Sequence, residues 1–201
     1  MKSVLISIQP YWVFLIIARL MGWNIPQEKT VEVRKDYPKD RAWNKAVHIY
    51  CSKNRKSFNR IPKQYQPFME KFLGKVMGEF VCDEITKLNY DTDWGVEPPH
   101  EGYFFTETPP EHVLLDFNSC LTNKELTDYG KRKPLYGWHI SDLKIYDKPK
   151  VLGEFSHYVG CENSNRLCSM CKYSSRDCNG ILDCNNRVTH APQSWQYIEE
   201  L

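Results

Sequence analysis

The chain has 201 residues, of which 41% are hydrophobic and 13% aromatic, and this composition excludes a mainly disordered protein. Its 27 basic and 25 acidic residues give a net charge of +2, which excludes the strongly basic balance of a protein that coats duplex DNA. A local basic patch, or a pocket for one nucleotide, is compatible with this charge.

The first 23 residues form a largely apolar stretch that has some features of a signal peptide or membrane anchor. Gln9-Pro10 divides the stretch and Arg19 lies in its second part, so neither part reaches the ~20 apolar residues of a membrane span. We predict a strand at 4–8 and a buried helix at 11–21 that starts beside Pro10. The protein is therefore expected to be soluble and cytoplasmic, without membrane association.

Three strands are predicted in the next part of the chain, at 29–35, 46–51 and 74–85. Residues 52–67 are basic and rich in turn-forming residues, which predicts an exposed loop. Residues 87–110 are polar and contain prolines, which predicts a second, long loop.

The second half begins with a helix signal. Thr122 and Glu125 form a capping box, and Gly130 lies where the helix should end. We predict a strand at 135–146, bent at Gly137, and a final strand at 194–201. Five or six strands with two or three short helices favour a mixed α+β fold with a small, barrel-like sheet.

The most informative polar string is EKTVEVRK at 28–35. In an alternating strand, Thr30, Glu32 and Arg34 project from one face. Such a face fits either a solvated surface with weak ion pairs or a binding surface. The pattern alone leaves both interpretations open.

Four segments together resemble the ASCH domain, a member of the PUA-like superfamily found in small bacterial and phage proteins. They are VLISIQP at 4–10, EKTVEVRK at 28–35, KVMGEFVCDEI at 75–85 and LYGWHISDLKIYDKP at 135–149. The family string is G-x-K-x-x-E-x-R, which Lys29, Glu32 and Arg34 match, whereas Gln27 stands at the glycine position. The resemblance implies a small β-barrel with flanking short helices and a cleft that binds RNA or a modified nucleotide.

A nucleotide site needs a cation for phosphate, a carboxylate for a base edge and an aromatic surface. Lys29 and Arg34 are our candidates for the cation. Glu32 or Glu79 is the candidate carboxylate, and Trp138 the candidate for stacking. Tyr136 and Trp195 are further aromatic candidates.

Two other functions compete with the binding module. One is a small nucleoside amidohydrolase or ribonuclease, in which Lys29 acts as nucleophile or acid/base with Glu32 or Glu79 as the carboxylate. The ASCH-like amidohydrolases have a threonine three positions after the lysine, where this chain has Glu32, and His139 fits a structural role better than a catalytic one. The other is a phage or host accessory protein whose cysteine-rich loop binds a protein partner.

That loop contains five of the eight cysteines: Cys161, Cys168, Cys171, Cys178 and Cys184. A C-x2-C pair directs two thiolates to one tetrahedral ion, and zinc is the usual ion for thiolate ligands. We predict a structural zinc site with Cys161, Cys168, Cys171 and Cys184 as ligands and Cys178 as a substitute, while free or disulfide-linked cysteines are the alternative. The whole chain, 1–201, is then a single domain, with 159–190 as the cysteine-rich loop before the last strand.

Overall fold

The structure is a computed structural model that describes residues 2–40, 42–93, 100–158 and 187–200. Its internal contacts divide the chain into two compact units, each built from separate segments. Unit 1 comprises Met1–Val13, Ala42–Glu79 and Lys144–Leu201, and unit 2 comprises Phe14–Arg41 and Phe80–Leu143. The single domain over 1–201 stays a prediction.

The described residues form strands and short helices in alternation. The strands are β1 (Ser3–Ile8), β2 (Val31–Arg34), β3 (Ala46–Cys51), β4 (Lys75–Val81), β5 (Ile85–Asp93), β6 (His100–Phe105), β7 (Leu135–His139), β8 (Ser141–Lys150), β9 (Phe155–His157) and β10 (Trp195–Glu200). The helices are α1 (Pro10–Ile17), α2 (Arg55–Phe58), α3 (Gln66–Glu70), α4 (Glu111–Leu115) and α5 (Asn123–Gly130), with one 3₁₀ turn at Leu152–Glu154.

A six-stranded sheet of order β8-β4-β3-β1-β10-β9 forms the frame of unit 1. β1 pairs parallel to β3 and antiparallel to β10, so it lies inside the sheet. This position explains why β1 is almost continuously apolar. A buried cluster on this sheet includes Leu5, Val76 and Phe155.

A four-stranded sheet of order β2-β7-β5-β6 forms the frame of unit 2, and all its registers are antiparallel. One face buries Val31, Val33 and Leu88 in a cluster that also includes Leu126 of α5. Because alternate residues of a strand point to opposite faces, Glu32 and Arg34 belong to the other face.

The capping box predicted for α5 is confirmed. Thr122 accepts a hydrogen bond from the Glu125 amide, and the Glu125 carboxylate accepts one from the Thr122 amide. Gly130 is the last helical residue, and Lys131, with φ of 54°, supplies the left-handed cap.

The loop predicted at 52–67 is wrong in part, because α2 and the start of α3 lie there. Asn54 caps α2 by accepting a hydrogen bond from the Ser57 amide at 3.0 Å, and Pro67 occupies the first turn of α3. Helices of four and five residues are too short to show a helical period in the sequence.

The long loop predicted at 87–110 is also wrong in part, because most of β5 and all of β6 lie there and pair as antiparallel strands. Leu88 lies opposite Phe105 and Tyr90 opposite Tyr103, and polar residues alternate with Leu88 and Tyr90 along β5. That polarity masks the strand in the sequence. The strand predicted at 135–146 is interrupted at Ile140 and forms two strands, β7 and β8, instead of bending at Gly137.

The mixed α+β class and the N-terminal strand are confirmed, and the helix predicted at 11–21 ends at Ile17. The described strands form two sheets, and no closed barrel is detected among them. Within the described residues, no helix has both the length and the apolar composition to span a membrane.

Candidate functional site

Lys29, Glu32 and Arg34 form one buried ionic cluster in unit 2. Lys29 Nζ lies 3.4 Å from Glu32 Oε2, and Arg34 Nη2 lies 3.0 Å from Glu32 Oε1. The three side chains are 2%, 9% and 9% exposed, respectively. The solvated strand face considered above is therefore wrong: these charges are packed away from water, with two cations around one carboxylate.

The segment 116–120 holds the start of β2 and thereby positions Lys29. Asn118 O accepts hydrogen bonds from the amides of Thr30 and Val31, at 2.9 and 3.2 Å. The Thr30 hydroxyl donates to Asp116 O and accepts from the Asn118 amide. Lys29 Nζ itself donates to the carbonyl of Ser119 at 2.7 Å.

Burial lowers the pKa of the Lys29 ammonium, and the nearby Glu32 carboxylate opposes this shift. In this structure the ammonium donates to Ser119 O and faces Glu32. To act as a nucleophile, Lys29 would have to lose its proton and leave both acceptors. These contacts suit an ammonium that fixes charge better than one that attacks a substrate.

The sheet face that carries Glu32 and Arg34 extends across three strands. Arg34 lies opposite Tyr136, and Tyr136 lies opposite Lys87, so these three side chains share one face. Tyr136 is half-buried and Lys87 is exposed. The face thus becomes accessible at Tyr136 and Lys87.

The next rung of the same face is buried. Glu32 lies opposite Trp138, which lies opposite Ile85. Trp138 has no exposed surface. The ring predicted to stack on a ligand therefore packs beside Glu32, and the accessible aromatic surface lies at Tyr136 instead.

Tyr37 extends this aromatic surface, since its ring centroid lies 4.6 Å from that of Tyr136. Sequence reasoning did not select Tyr37 or Lys87 for the site. Lys87 lies in the segment predicted as a loop, so its strand face was not recognised. For Tyr37, which follows β2 by three residues, no pattern in the sequence gives a signal.

A pocket of about 270 Å³ adjoins this face, lined by residues 84–87 and 106–110. Ile85 and Lys87 belong both to the pocket and to the sheet face. The buried hydroxyl of Thr86, another lining residue, has no hydrogen-bond partner within the described residues. Lys29 and Glu32 do not line this pocket. The pocket is therefore not a cleft in which a ligand would contact those two residues.

Glu79 lies in unit 1, whereas Lys29 lies in unit 2. Within unit 1 its carboxylate accepts a hydrogen bond from the Tyr146 hydroxyl at 3.0 Å and lies 3.6 Å from Nδ1 of His48. Burial, and then the charge of Glu79, raise the pKa of Tyr146. Glu79 therefore has a polar network of its own, and its part in ligand binding stays a prediction.

His139 is held in place by Asp83. Its Nδ1 lies 2.7 Å from Asp83 Oδ1, and its Nε2 lies 3.9 Å from Asp116 Oδ2. Partial burial alone would raise the pKa of Asp83, but the hydrogen bond and charge of His139 lower it overall. These contacts favour the structural role expected for this histidine.

The predicted zinc ligands Cys161, Cys168, Cys171 and Cys184 lie outside the described residues, as does Cys178. Within the described ranges, no group of three or more His, Cys, Asp or Glu side chains is arranged to hold a metal ion. Cys51, Cys82 and Cys120 form no disulfide with one another or with any other described residue. The zinc site therefore stays a prediction from sequence.

No family model matches the chain, and no curated protein gives a significant match. Solved structures of an ASCH protein from Zymomonas mobilis are similar to it over 98% of this chain. Two single-residue mutants of that protein show 12% identity and a TM-score of 0.45, covering 89% and 87% of their own chains. The unmutated ASCH protein shows 14% identity and a TM-score of 0.44, with 87% of its chain covered.

Proposed function

We propose that this chain is a module that binds RNA or a modified nucleotide, and that the β2-β7-β5 face of unit 2 contacts the ligand. One observation carries the proposal: Arg34, Tyr136 and Lys87 lie side by side on one sheet face. An exposed lysine beside an accessible aromatic ring, with the charge of buried Arg34 on the other side of that ring, suits a phosphorylated base.

Charge supports a negatively charged ligand. The buried cluster contains the two cations Lys29 and Arg34 and the carboxylate of Glu32, so these three groups together carry a charge of +1 while Lys29 is protonated. Exposed Lys87 adds a further positive charge on the same face. A phosphate that approaches this face is therefore attracted, and charge-assisted hydrogen bonds to it are stronger than neutral ones.

The aromatic pair supports a base as the other half of the ligand. Tyr37 and Tyr136 are both half-buried, so each ring retains accessible surface. Aromatic side chains of this kind stack on unpaired bases whatever their identity. The adjoining pocket, which Lys87 helps to line, offers a charged polar group to a sugar or a base edge.

The proposal can be tested with small probes that do not depend on an extended surface. We would measure binding of the four ribonucleoside monophosphates and of an acylated cytidine by calorimetry, for the wild type and for Lys87→Gln and Tyr136→Leu. We expect roughly a tenfold to a hundredfold loss for Lys87→Gln, because a charge-assisted contact is removed. We expect about a tenfold loss for Tyr136→Leu, because a base loses its stacking partner.

Lys133→Gln is the matched control, because Lys133 is an exposed lysine of unit 2 that lies outside the β2-β7-β5 face. Equal affinities for all three variants and the wild type would contradict the proposed surface. Release of acid from the acylated cytidine would instead identify an amidohydrolase.

A further inference from the structure

Unit 1 contains a segment with far more positive charge than the rest of the chain. Residues 52–71 contain six basic residues and one acidic residue, a net charge of +5, whereas the whole chain has +2. The remainder of the chain is therefore net acidic. The basic segment includes α2 and α3 of unit 1.

The positive charges of this segment face solvent. Lys53, Lys56 and Lys63 are exposed, and none of them forms an ion pair with any described residue. The one acidic residue, Glu70, is occupied by Arg55 through hydrogen bonds of 2.7 and 2.9 Å that join α2 to α3. The three lysines therefore have no ion-pair partner in the part of the chain that the structure describes.

An arginine of the same segment stacks on two aromatic rings at the start of α1. The Arg60 guanidinium lies 3.9 Å from the centre of the Tyr11 ring and 5.1 Å from that of Trp12. The amide of Tyr11 also donates to the Ser57 hydroxyl, which ties the start of α1 to α2. An arginine stacked on a ring keeps its guanidinium edge available to phosphate oxygens.

We propose that this surface, formed by Lys53, Lys56, Arg60, Lys63 and the rings of Tyr11 and Trp12, binds the backbone of single-stranded RNA. The proposal rests on the proposed function and extends it, since it implies a ligand longer than one nucleotide. Lysines without partners neutralise phosphates, and half-buried rings accept bases, so the combination matches a single strand.

An anionic membrane surface fits these observations less well. Peripheral membrane binding combines basic residues with exposed apolar side chains that enter the lipid. The exposed large hydrophobic residues among those described are Leu20, Met21, Phe104, Phe105, Leu114, Leu115 and Val151, and none lies in the basic segment.

The test compares two variants of equal charge in the full-length chain. One carries Lys53→Gln, Lys56→Gln and Lys63→Gln. The control carries Lys124→Gln, Lys133→Gln and Lys148→Gln, which replace three exposed lysines elsewhere. Affinity for a fluorescent 20-nucleotide RNA of mixed sequence, measured by anisotropy between 50 and 200 mM salt, is the readout, and thermal melting checks that both variants are folded.

We expect at least a tenfold loss of RNA affinity in the first variant and less than a threefold loss in the control. The slope of log K against log salt should become less steep by about 2, because each phosphate contact on a single strand contributes about 0.7. Nucleoside monophosphate binding should be unchanged in both variants.

Equal losses of RNA affinity in the two variants would contradict RNA binding at this surface, but would leave the proposed function unaffected. If the wild type binds nucleoside monophosphates but no RNA, only the basic surface is contradicted. If it binds neither, both the basic surface and the proposed function are contradicted. Binding to phosphatidylserine vesicles without binding to RNA would assign the surface to membranes and overturn the proposal.

Discussion

The carboxylate of Glu32 lies 3.0 Å from the guanidinium of Arg34, and both side chains are only 9% exposed. The second oxygen of the same carboxylate faces Lys29 at 3.4 Å. Glu32 is therefore the shared counter-charge of two buried cations. Replacing Glu32 by a neutral residue would remove the carboxylate that lies beside both Lys29 and Arg34. Removing one partner of a buried ion pair is strongly destabilising.

We therefore predict that Glu32→Gln lowers the free energy of unfolding by about 3 kcal/mol or more. Asp128→Asn is the control, because Asp128 also pairs with a lysine, at 3.0 Å, but on the surface. That substitution should cost about 0.5 kcal/mol or less. Urea denaturation at pH 7 measures both, and equal small losses would show that the buried pairing contributes little.

Burial of Lys29 gives stability a dependence on alkaline pH. Its pKa is lowered in the folded state, so above that pKa the folded chain binds fewer protons than the unfolded chain. Wild-type stability should then rise relative to Lys29→Met as pH increases from 7 toward the ordinary lysine pKa of about 10.4. Parallel urea titrations of the two proteins would show this, and a constant difference across the range would contradict the shift.

The Asp83–His139 pair makes the stability of the fold depend on acidic pH. The pKa of Asp83 is lowered in the folded state, so its contribution is present above the ordinary aspartate pKa of about 3.9 and disappears as pH falls through the lower folded value. Because about a third of its side chain is exposed, we expect Asp83→Asn to cost only about 1 kcal/mol at pH 7. That cost should vanish at the acid end, and a cost that persists there would point to packing instead of charge.

The sequence pattern was sufficient to place Glu32 and Arg34 on one face of a strand, but it could not predict their burial. Burial depends on contacts with distant residues: the segment that holds Thr30 and Lys29 lies about 90 positions later in the chain. For this reason, the sequence pattern could not distinguish a solvated strand face from a binding surface.

The exposed end of the same face was missed for a different reason. Lys87 lies on β5, where Thr, Lys, Asn and Asp residues conceal the two-residue period of a strand with one solvent face. Glu79 shows the reverse error. The sequence predicts the strand that carries Glu79. It does not predict that the Glu79 carboxylate accepts a hydrogen bond from Tyr146 within unit 1.

The cysteine cluster yields a prediction that rests on sequence alone. About one zinc ion per chain should copurify with the protein, and Cys168→Ser should reduce both the zinc content and the melting temperature. Cys120→Ser is the control, because Cys120 lies outside the cluster and forms no disulfide with any described residue. Elemental analysis that finds no zinc, together with disulfides among the five clustered cysteines, would rule the site out.

We propose that the β2-β7-β5 face of unit 2 binds a nucleotide. A titration of isotope-labelled protein with cytidine monophosphate, followed by amide NMR, tests this most directly, because so small a ligand does not need the basic segment at 52–71. We expect the largest shift changes at Arg34, Tyr37, Lys87 and Tyr136, with little change at Lys124 or Lys133. Shift changes confined to other parts of the chain, or none at millimolar ligand, would contradict it.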